Sequence, residues 1–196
     1  MNRLINIIVL FLSFLLLIFS LTACKQDNAS NKPTLSNNTA KECFEKILNN
    51  EKDFYLTYDK TNIFLSDYNL KALSYAYVDM DNDNIDELAI ELEDGNVLIL
   101  RIDGESVIGF EFGMREMYQI NIDGSFHWNR DSGNTYGCSR LEFTGKTYKT
   151  IELWRVENNE SGSTAYYIDG TAATKEEVDS LIVPPSINWN SFFTAP

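Results

Sequence analysis

The chain has one histidine, three cysteines and four prolines in 196 residues. A single histidine excludes zinc sites built from several histidines, and three cysteines are too few for a disulfide scaffold or a four-cysteine zinc site. Basic side chains are also scarce, with 16 Lys and Arg against 29 Asp and Glu, a formal net charge of −13. Such a surface would repel a phosphate backbone, so the composition predicts no nucleic-acid partner.

The N-terminal segment has the layout of a secretory signal. Arg3 is its one charged residue, and the run from Leu4 to Leu21 is almost entirely apolar. The run ends in Leu21-Thr22-Ala23-Cys24, which resembles the bacterial lipobox. That resemblance implies a lipoprotein signal peptide over residues 1–23 and a diacylated Cys24 as the first residue after cleavage. The alternative is an uncleaved transmembrane anchor, because the run approaches the ~20 residues that span a bilayer.

Under the lipobox interpretation the remaining chain is anchored through palmitate-type lipid to the extracytoplasmic face of the bacterial cell membrane. Residues 24–38 are rich in Ser, Asn, Asp and Lys and nearly lack apolar residues. Such a segment cannot bury enough surface to fold, so we predict a flexible tether. The folded domain is predicted over 39–196. It begins with a capping-box pattern, Thr39 to Glu42, and a helix over about 40–50 whose apolar face covers a sheet.

After residue 72 the apolar residues recur every second position, which is typical of strands. The run from Val97 to Leu100 is continuously apolar, which indicates a central strand covered on both faces. Five turn signals separate the runs, and four of them are Asp-Gly, the strongest short-range hairpin signal. They are Asp94-Gly95, Asp103-Gly104, Asp123-Gly124, Thr144-Gly145 and Asp169-Gly170.

The predicted fold is therefore α+β and mainly β: an antiparallel meander sheet of about eight or nine short strands with an N-terminal and a C-terminal helix. The C-terminal helix is indicated by a second capping box, Thr174 to Glu177, and is stopped by Pro184-Pro185. Residues 51–71 give no clear pattern.

The stretch Asp79 to Leu88 carries the clearest chemistry in the sequence. Carboxylates at loop positions 1, 3 and 5 can converge on one hard cation, and the carbonyl of position 7 and the carboxylate of position 9 can complete an oxygen cage. The predicted calcium ligands are Asp79, Asp81, Asp83, Ile85 and Glu87. The alternative is an acidic, solvated hairpin loop that binds nothing tightly.

The loop departs from an EF-hand because position 12 is Ile90 instead of a bidentate glutamate. It resembles the Asp-x-Asp-x-Asp calcium loops of FG-GAP and VCBS-type β-repeats and of small Gram-positive surface lipoproteins. Asn84 stands where those loops have Gly, and Asn is one of the few residues that enter the left-handed region readily. A β-propeller is not expected, because the loop occurs once and propellers need at least about four blades.

No catalytic residue set stands out. His127 is the single histidine and lies in a strand pattern, with no nucleophile elbow elsewhere in the chain. Cys43 and Cys138 could form a disulfide outside the cytoplasm or remain buried thiols. The polar segment Asn129 to Tyr136 follows Trp128 and could bind a sugar or a peptide, or be a solvated hairpin connection.

These observations favour a lipid-anchored extracytoplasmic binding or interaction module with one weak, structural calcium site and a protein or glycan ligand. An enzyme is not favoured. The alternative function is a secreted carboxylate-dependent hydrolase that acts on glycans or cell-wall polymers.

Overall fold

A computed structural model describes residues 36–68, 71–159, 161–181 and 184–192. The predicted signal peptide and Cys24 lie outside these residues, as does most of the predicted tether. Across the described ranges there are two α-helices, thirteen strands and two short 3₁₀ turns. The elements are α1 (Asn37–Leu48), β1 (Phe54–Leu56), β2 (Thr61–Ile63), β3 (Ala72–Val78), β4 (Glu87–Leu92), β5 (Val97–Asp103), β6 (Ser106–Phe112), β7 (Gln119–Ile120), β8 (Phe126–Arg130), β9 (Thr135–Thr144), β10 (Thr147–Asn158), β11 (Thr164–Ile168), β12 (Thr171–Ala173), α2 (Lys175–Asp179) and β13 (Asn190–Ser191), with the 3₁₀ turns at Leu65–Asp67 and Asp131–Gly133.

The strands form two sheets. Sheet A has the order β13-β3-β4-β5-β6-β1-β2, and sheet B has the order β12-β11-β10-β9-β8-β7. The five predicted turns all connect consecutive antiparallel strands, and their glycines all have positive φ, from 55° to 84°. The Asp-Gly and Thr-Gly hairpin prediction is therefore confirmed.

The mainly β class is confirmed, but the single meander of eight or nine strands is wrong. The chain leaves sheet A after β6 and builds a second sheet, and β1 pairs with β6 in parallel. Apolar alternation shows that a segment is a strand, but it does not show which sheet the strand joins. The additional strands β1, β2, β12 and β13 have two or three residues each, too short for a period to be visible.

Sheet A has a core on each face. One face packs against sheet B around Ile99, Phe110 and Leu141, and the other packs against α1 through Phe44 and Ile47. The four residues from Val97 to Leu100 in β5 are all buried, because alternate side chains enter the two cores. The predictions of a doubly covered central strand and of a helix covering one face are both confirmed.

The first helix begins three residues earlier than predicted. Ser36 is its N-cap, and the Ser36 side chain accepts a hydrogen bond from the Thr39 amide at 3.3 Å. Ser36 and Thr39 are both good caps, and the sequence does not decide between them. The last three residues of the predicted tether, 36–38, thus belong to the helix and its cap.

The capping box of the C-terminal helix is confirmed. The Glu177 carboxylate accepts a hydrogen bond from the Thr174 amide at 2.7 Å, and the Thr174 hydroxyl accepts one from the Glu177 amide at 3.2 Å. The helix ends at Asp179, so it is shorter than the pattern suggested. None of the described helices combines the length and the apolar character of a membrane span.

Candidate cation site

The acidic loop connects β3 to β4 and is fixed at both ends by buried residues. Met80 is fully buried between the two sheets, and Glu87 at the start of β4 is only 3% exposed. The Met80 amide donates a hydrogen bond to the Glu87 carboxylate at 2.8 Å. This bond closes the base of the loop and turns the Glu87 carboxylate inward.

Three of the predicted ligands converge. One carboxylate oxygen from each of Asp79, Asp81 and Glu87 lies within 4.8 Å of the other two. The Asp83 carboxylate lies outside this group and accepts a hydrogen bond from the Ile85 amide at 2.7 Å. The loop therefore presents a cluster of three carboxylates, with Asp83 holding the turn beside it.

The turn itself depends on backbone donors and left-handed residues. The Asp79 carboxylate accepts hydrogen bonds from the Asp83 amide at 3.1 Å and from the Asn84 amide at 3.0 Å. Asn82 and Asn84 have φ values of 61° and 68°. The expectation that Asn84 can take the conformation usually given to Gly is confirmed.

Burial and neighbouring negative charges disfavour the ionised forms of Glu87 and Asp81. Desolvation is the main cause that raises the pKa of Glu87 to about 9, and the charges of Asp81 and Asp83 add to it. Desolvation and the neighbouring Asp83 charge also raise the pKa of Asp81. A cation at the cluster would offset both effects, since it favours the ionised carboxylates.

Arg101 in β5 supplies positive charge near the cluster. Its charge lowers the pKa of both Asp81 and Glu87, in opposition to the desolvation. Its guanidinium lies 5.0 Å from the Phe143 ring centre, and its buried Nε and one Nη have no hydrogen-bond partner among the described residues. Arg101 therefore balances part of the acidic charge without forming a close ion pair within the described part of the chain.

Two other elements hold the loop from outside. The Asp86 amide donates a hydrogen bond to the Asn37 side chain in α1 at 2.7 Å, and the Asp86 carboxylate lies 3.4 Å from the Lys41 ammonium. On the other side, the β7–β8 turn places Gly124 against the backbone of Asp79 and Met80. The loop is thus contacted by the helix and by sheet B.

Sequence reasoning missed the positions that support the cluster. Arg101 could have been identified from the sequence, since it is the one charge inside the apolar run of β5. Gly124 could not have been identified in this way, because Asp123-Gly124 has the same sequence as the other Asp-Gly hairpin turns.

The other candidate residues are not part of the carboxylate cluster. His127 and Cys138 are paired across β8 and β9, but burial raises the pKa of the Cys138 thiol and lowers that of His127. The thiol therefore stays protonated and is not an activated nucleophile. Cys43 and Cys138 are both free, which settles the open disulfide question in favour of separate thiols.

Comparison of the chain with models of known protein families, with curated proteins and with solved structures gives no match.

Proposed function

We propose that the protein is a lipid-anchored extracytoplasmic binding module whose β3–β4 loop binds one calcium ion for structural stability. The observation that supports the cation is the convergence of Asp79, Asp81 and Glu87 within 4.8 Å, one of them almost completely buried. When all three are ionised these carboxylates repel one another, and a hard cation with oxygen ligands relieves that repulsion. The lipobox residues Leu21 to Cys24 support the anchor.

Calcium is favoured over magnesium because the ligand set is irregular. Magnesium requires near-ideal octahedral geometry and keeps its water, whereas calcium accepts six to eight oxygens in flexible arrangements. The carbonyl of Ile85 and solvent would complete the shell beside the three carboxylates. Because Arg101 already balances part of the acidic charge, we expect weak calcium binding, with a dissociation constant in the ~10⁻⁴ to 10⁻³ M range of extracellular modules.

The cation is tested by calorimetric titration of the full-length protein, solubilised in detergent and freed of metal with EDTA, with calcium and then with magnesium. We expect calcium to release heat and to raise the melting temperature, and magnesium to do less. The Asp79→Asn/Asp81→Asn double variant serves as the control and should show neither effect. Absence of both heat and thermal shift in the wild-type protein would contradict the cation site.

The anchor is tested by labelling cells with radioactive palmitate. The wild-type protein should incorporate label and Cys24→Ser should not. Cys43→Ser is a matched control, since it removes a cysteine that the lipobox does not involve. Equal labelling of the wild type and Cys24→Ser would contradict lipidation.

A further inference from the structure

A cavity of about 290 Å³ opens on the side of sheet B that faces sheet A, away from the acidic loop. The strand register explains its position. Leu141 and Thr150 lie directly opposite each other on β9 and β10, so their side chains point to the same face. Leu141 is buried in the core between the sheets, whereas Thr150 is exposed. Sheet A therefore leaves β10 uncovered at Thr150, and a groove begins there.

The floor of the groove is apolar and its rim is polar. Phe112, Phe126 and Trp128 are buried beneath it, and the Trp128 indole donates a hydrogen bond to the Ser139 hydroxyl at 2.8 Å. This bond satisfies the one polar atom of the tryptophan side chain. The rim is formed by Arg115, Glu116, Asn129, Arg130, Tyr148 and Glu152.

The two arginines of the rim are available to a ligand. Both are exposed, and neither has a carboxylate within 4.0 Å among the described residues. Among the described arginines only Arg155 forms an ion pair within 4.0 Å, so these two are set apart by their position at one cavity and not by the lack of a partner. The Arg130 guanidinium lies 4.9 Å from the Trp128 ring centre. This cation–π contact restricts the conformations of the arginine side chain, so less entropy is lost when its N–H groups bind an anion.

The two glutamates of the rim already have partners. Glu152 binds the Arg155 guanidinium at 3.0 Å and 3.2 Å, and Glu116 accepts a hydrogen bond from the Gly113 amide at 3.0 Å. Their remaining lone pairs can accept hydrogen bonds from hydroxyl groups. Tyr148 is 40% exposed and packs edge-on against Phe110, so an aromatic ring borders the opening in a fixed position.

We propose that this groove binds an acidic sugar, a pyranose ring that carries a carboxylate. The carboxylate fits the unpaired guanidinium groups of Arg115 and Arg130, because arginine donors match carboxylate geometry. The ring hydroxyls fit the acceptors Glu116 and Glu152 and the amide of Asn129, and the apolar ring face fits Tyr148. A cavity near 300 Å³ has room for about one ring, at the lower end of small-molecule sites.

This inference rests on the proposed role as a binding module and names its ligand, but it requires neither the lipid nor calcium. The test is a calorimetric titration of the full-length protein in detergent with glucuronate. Glucose is the neutral control for the ring, and acetate is the control for the carboxylate alone. We expect glucuronate to bind at least tenfold more tightly than either control, and equally well in EDTA.

The variants Arg115→Gln and Arg130→Gln should each weaken glucuronate binding by roughly tenfold. Arg130→Lys should weaken it as well, because lysine keeps the charge but lacks the planar fork. Lys149→Gln is the matched control, since Lys149 is an exposed cation of β10 that lies opposite Glu142 on the other face of sheet B. It should change binding less than twofold, and all the variants should keep the wild-type melting temperature.

Several results would overturn the proposal. If glucuronate binds no more tightly than glucose, the arginines do not contribute to sugar binding. If acetate binds as tightly as glucuronate, the groove is a site for any carboxylate, such as a peptide terminus. Release of reducing ends from polygalacturonate would show that the protein hydrolyses acidic polysaccharides, and the proposal of a site that only binds would be wrong. Because calcium is titrated separately, failure of the sugar with retained calcium binding overturns only the groove, and the reverse result overturns only the cation site.

Discussion

Gly124 contacts the backbone of Asp79 so closely that no other residue fits between them. A Cβ on Gly124 would overlap the Asp79 carbonyl oxygen and would lie 2.8 Å from the Met80 Cα. Gly124 belongs to a turn of sheet B, and Asp79 follows a strand of sheet A. The acidic loop is therefore positioned by both sheets, and its geometry depends on a glycine outside the loop.

Gly124→Ala should destabilise the protein and weaken calcium binding, because the new methyl group must displace the Asp79–Met80 backbone. Gly170→Ala is the matched control: Gly170 also has a positive φ, 73° against 77° for Gly124, but a Cβ added there would meet nothing within 4 Å. We expect Gly124→Ala to cost about 1–3 kcal/mol more than the control in chemical denaturation. Equal losses would show that the contact with Asp79 has no energetic role.

The three converging carboxylates should matter more to calcium than the fourth aspartate. Asp79→Asn or Asp81→Asn should reduce calcium affinity by roughly a hundredfold or more, whereas Asp83→Asn should reduce it by about tenfold or less. The reason is that Asp83 holds the turn through the Ile85 amide and lies outside the cluster. Calorimetric titration ranks the variants, and an Asp83 effect as large as the others would place Asp83 in the ligand shell.

The stability of the calcium-free protein should depend on the protonation of Glu87. Its pKa is about 9 in the folded protein against an ordinary value of 4.5, so the folded state binds the proton more tightly. The stability that this proton contributes is complete below about pH 4.5 and is lost as the pH rises to about 9. Denaturation in EDTA should therefore show a fall of up to about 1.4 kcal/mol per pH unit in this window.

Glu87→Gln is the control for this pH dependence, since glutamine is neutral at every pH and has nearly the same shape. We expect the fall in stability between pH 5 and 9 to be much smaller in the variant. Calcium must displace the proton, so calcium affinity of the wild type should rise with pH over the same window. An identical pH profile for the two proteins would assign the titration to other groups.

Arg101 should act against the cation. Its guanidinium already supplies positive charge near Asp81 and Glu87, so Arg101→Met should increase calcium affinity by roughly three- to tenfold. Methionine has a similar length and removes the guanidinium that lies 5.0 Å from the Phe143 ring centre. Arg101→Lys retains the charge and should leave the affinity close to that of the wild type. Weaker calcium binding in Arg101→Met would show that the arginine organises the site instead of competing with it.

Local features of the fold were predictable because they depend on neighbouring residues. The five glycine turns follow from positive φ, and the buried strand Val97–Leu100 follows from its unbroken apolar run. The division into two sheets was not predictable, because the same alternation serves either sheet. The parallel pairing of β1 with β6 joins segments about fifty residues apart, so no pattern among neighbouring residues indicates it.

The same distinction holds for the candidate site. The spacing of acidic residues placed Asp79, Asp81 and Glu87 together, because the ligands of a tight loop are close in sequence. It did not separate Asp83 from them, since the direction of each carboxylate depends on which amide it accepts from. The supporting residues Asn37, Arg101 and Gly124 come from three other elements, and only the folded chain brings them to the loop.

The hydrogen bond between Asn37 and the Asp86 amide would bear load if the protein is held at its N-terminal end by the proposed lipid anchor. Asn37 is the first residue of α1, so tension arriving from the N-terminal side reaches α1 before it reaches either sheet. The next contact in the line of force is the ion pair of Lys41 with Asp86, the residue directly before Glu87. In the proposed lipid-anchored protein, calcium in the loop would therefore reinforce the contact between the acidic loop and α1, and its removal would lower the force at which the helix detaches.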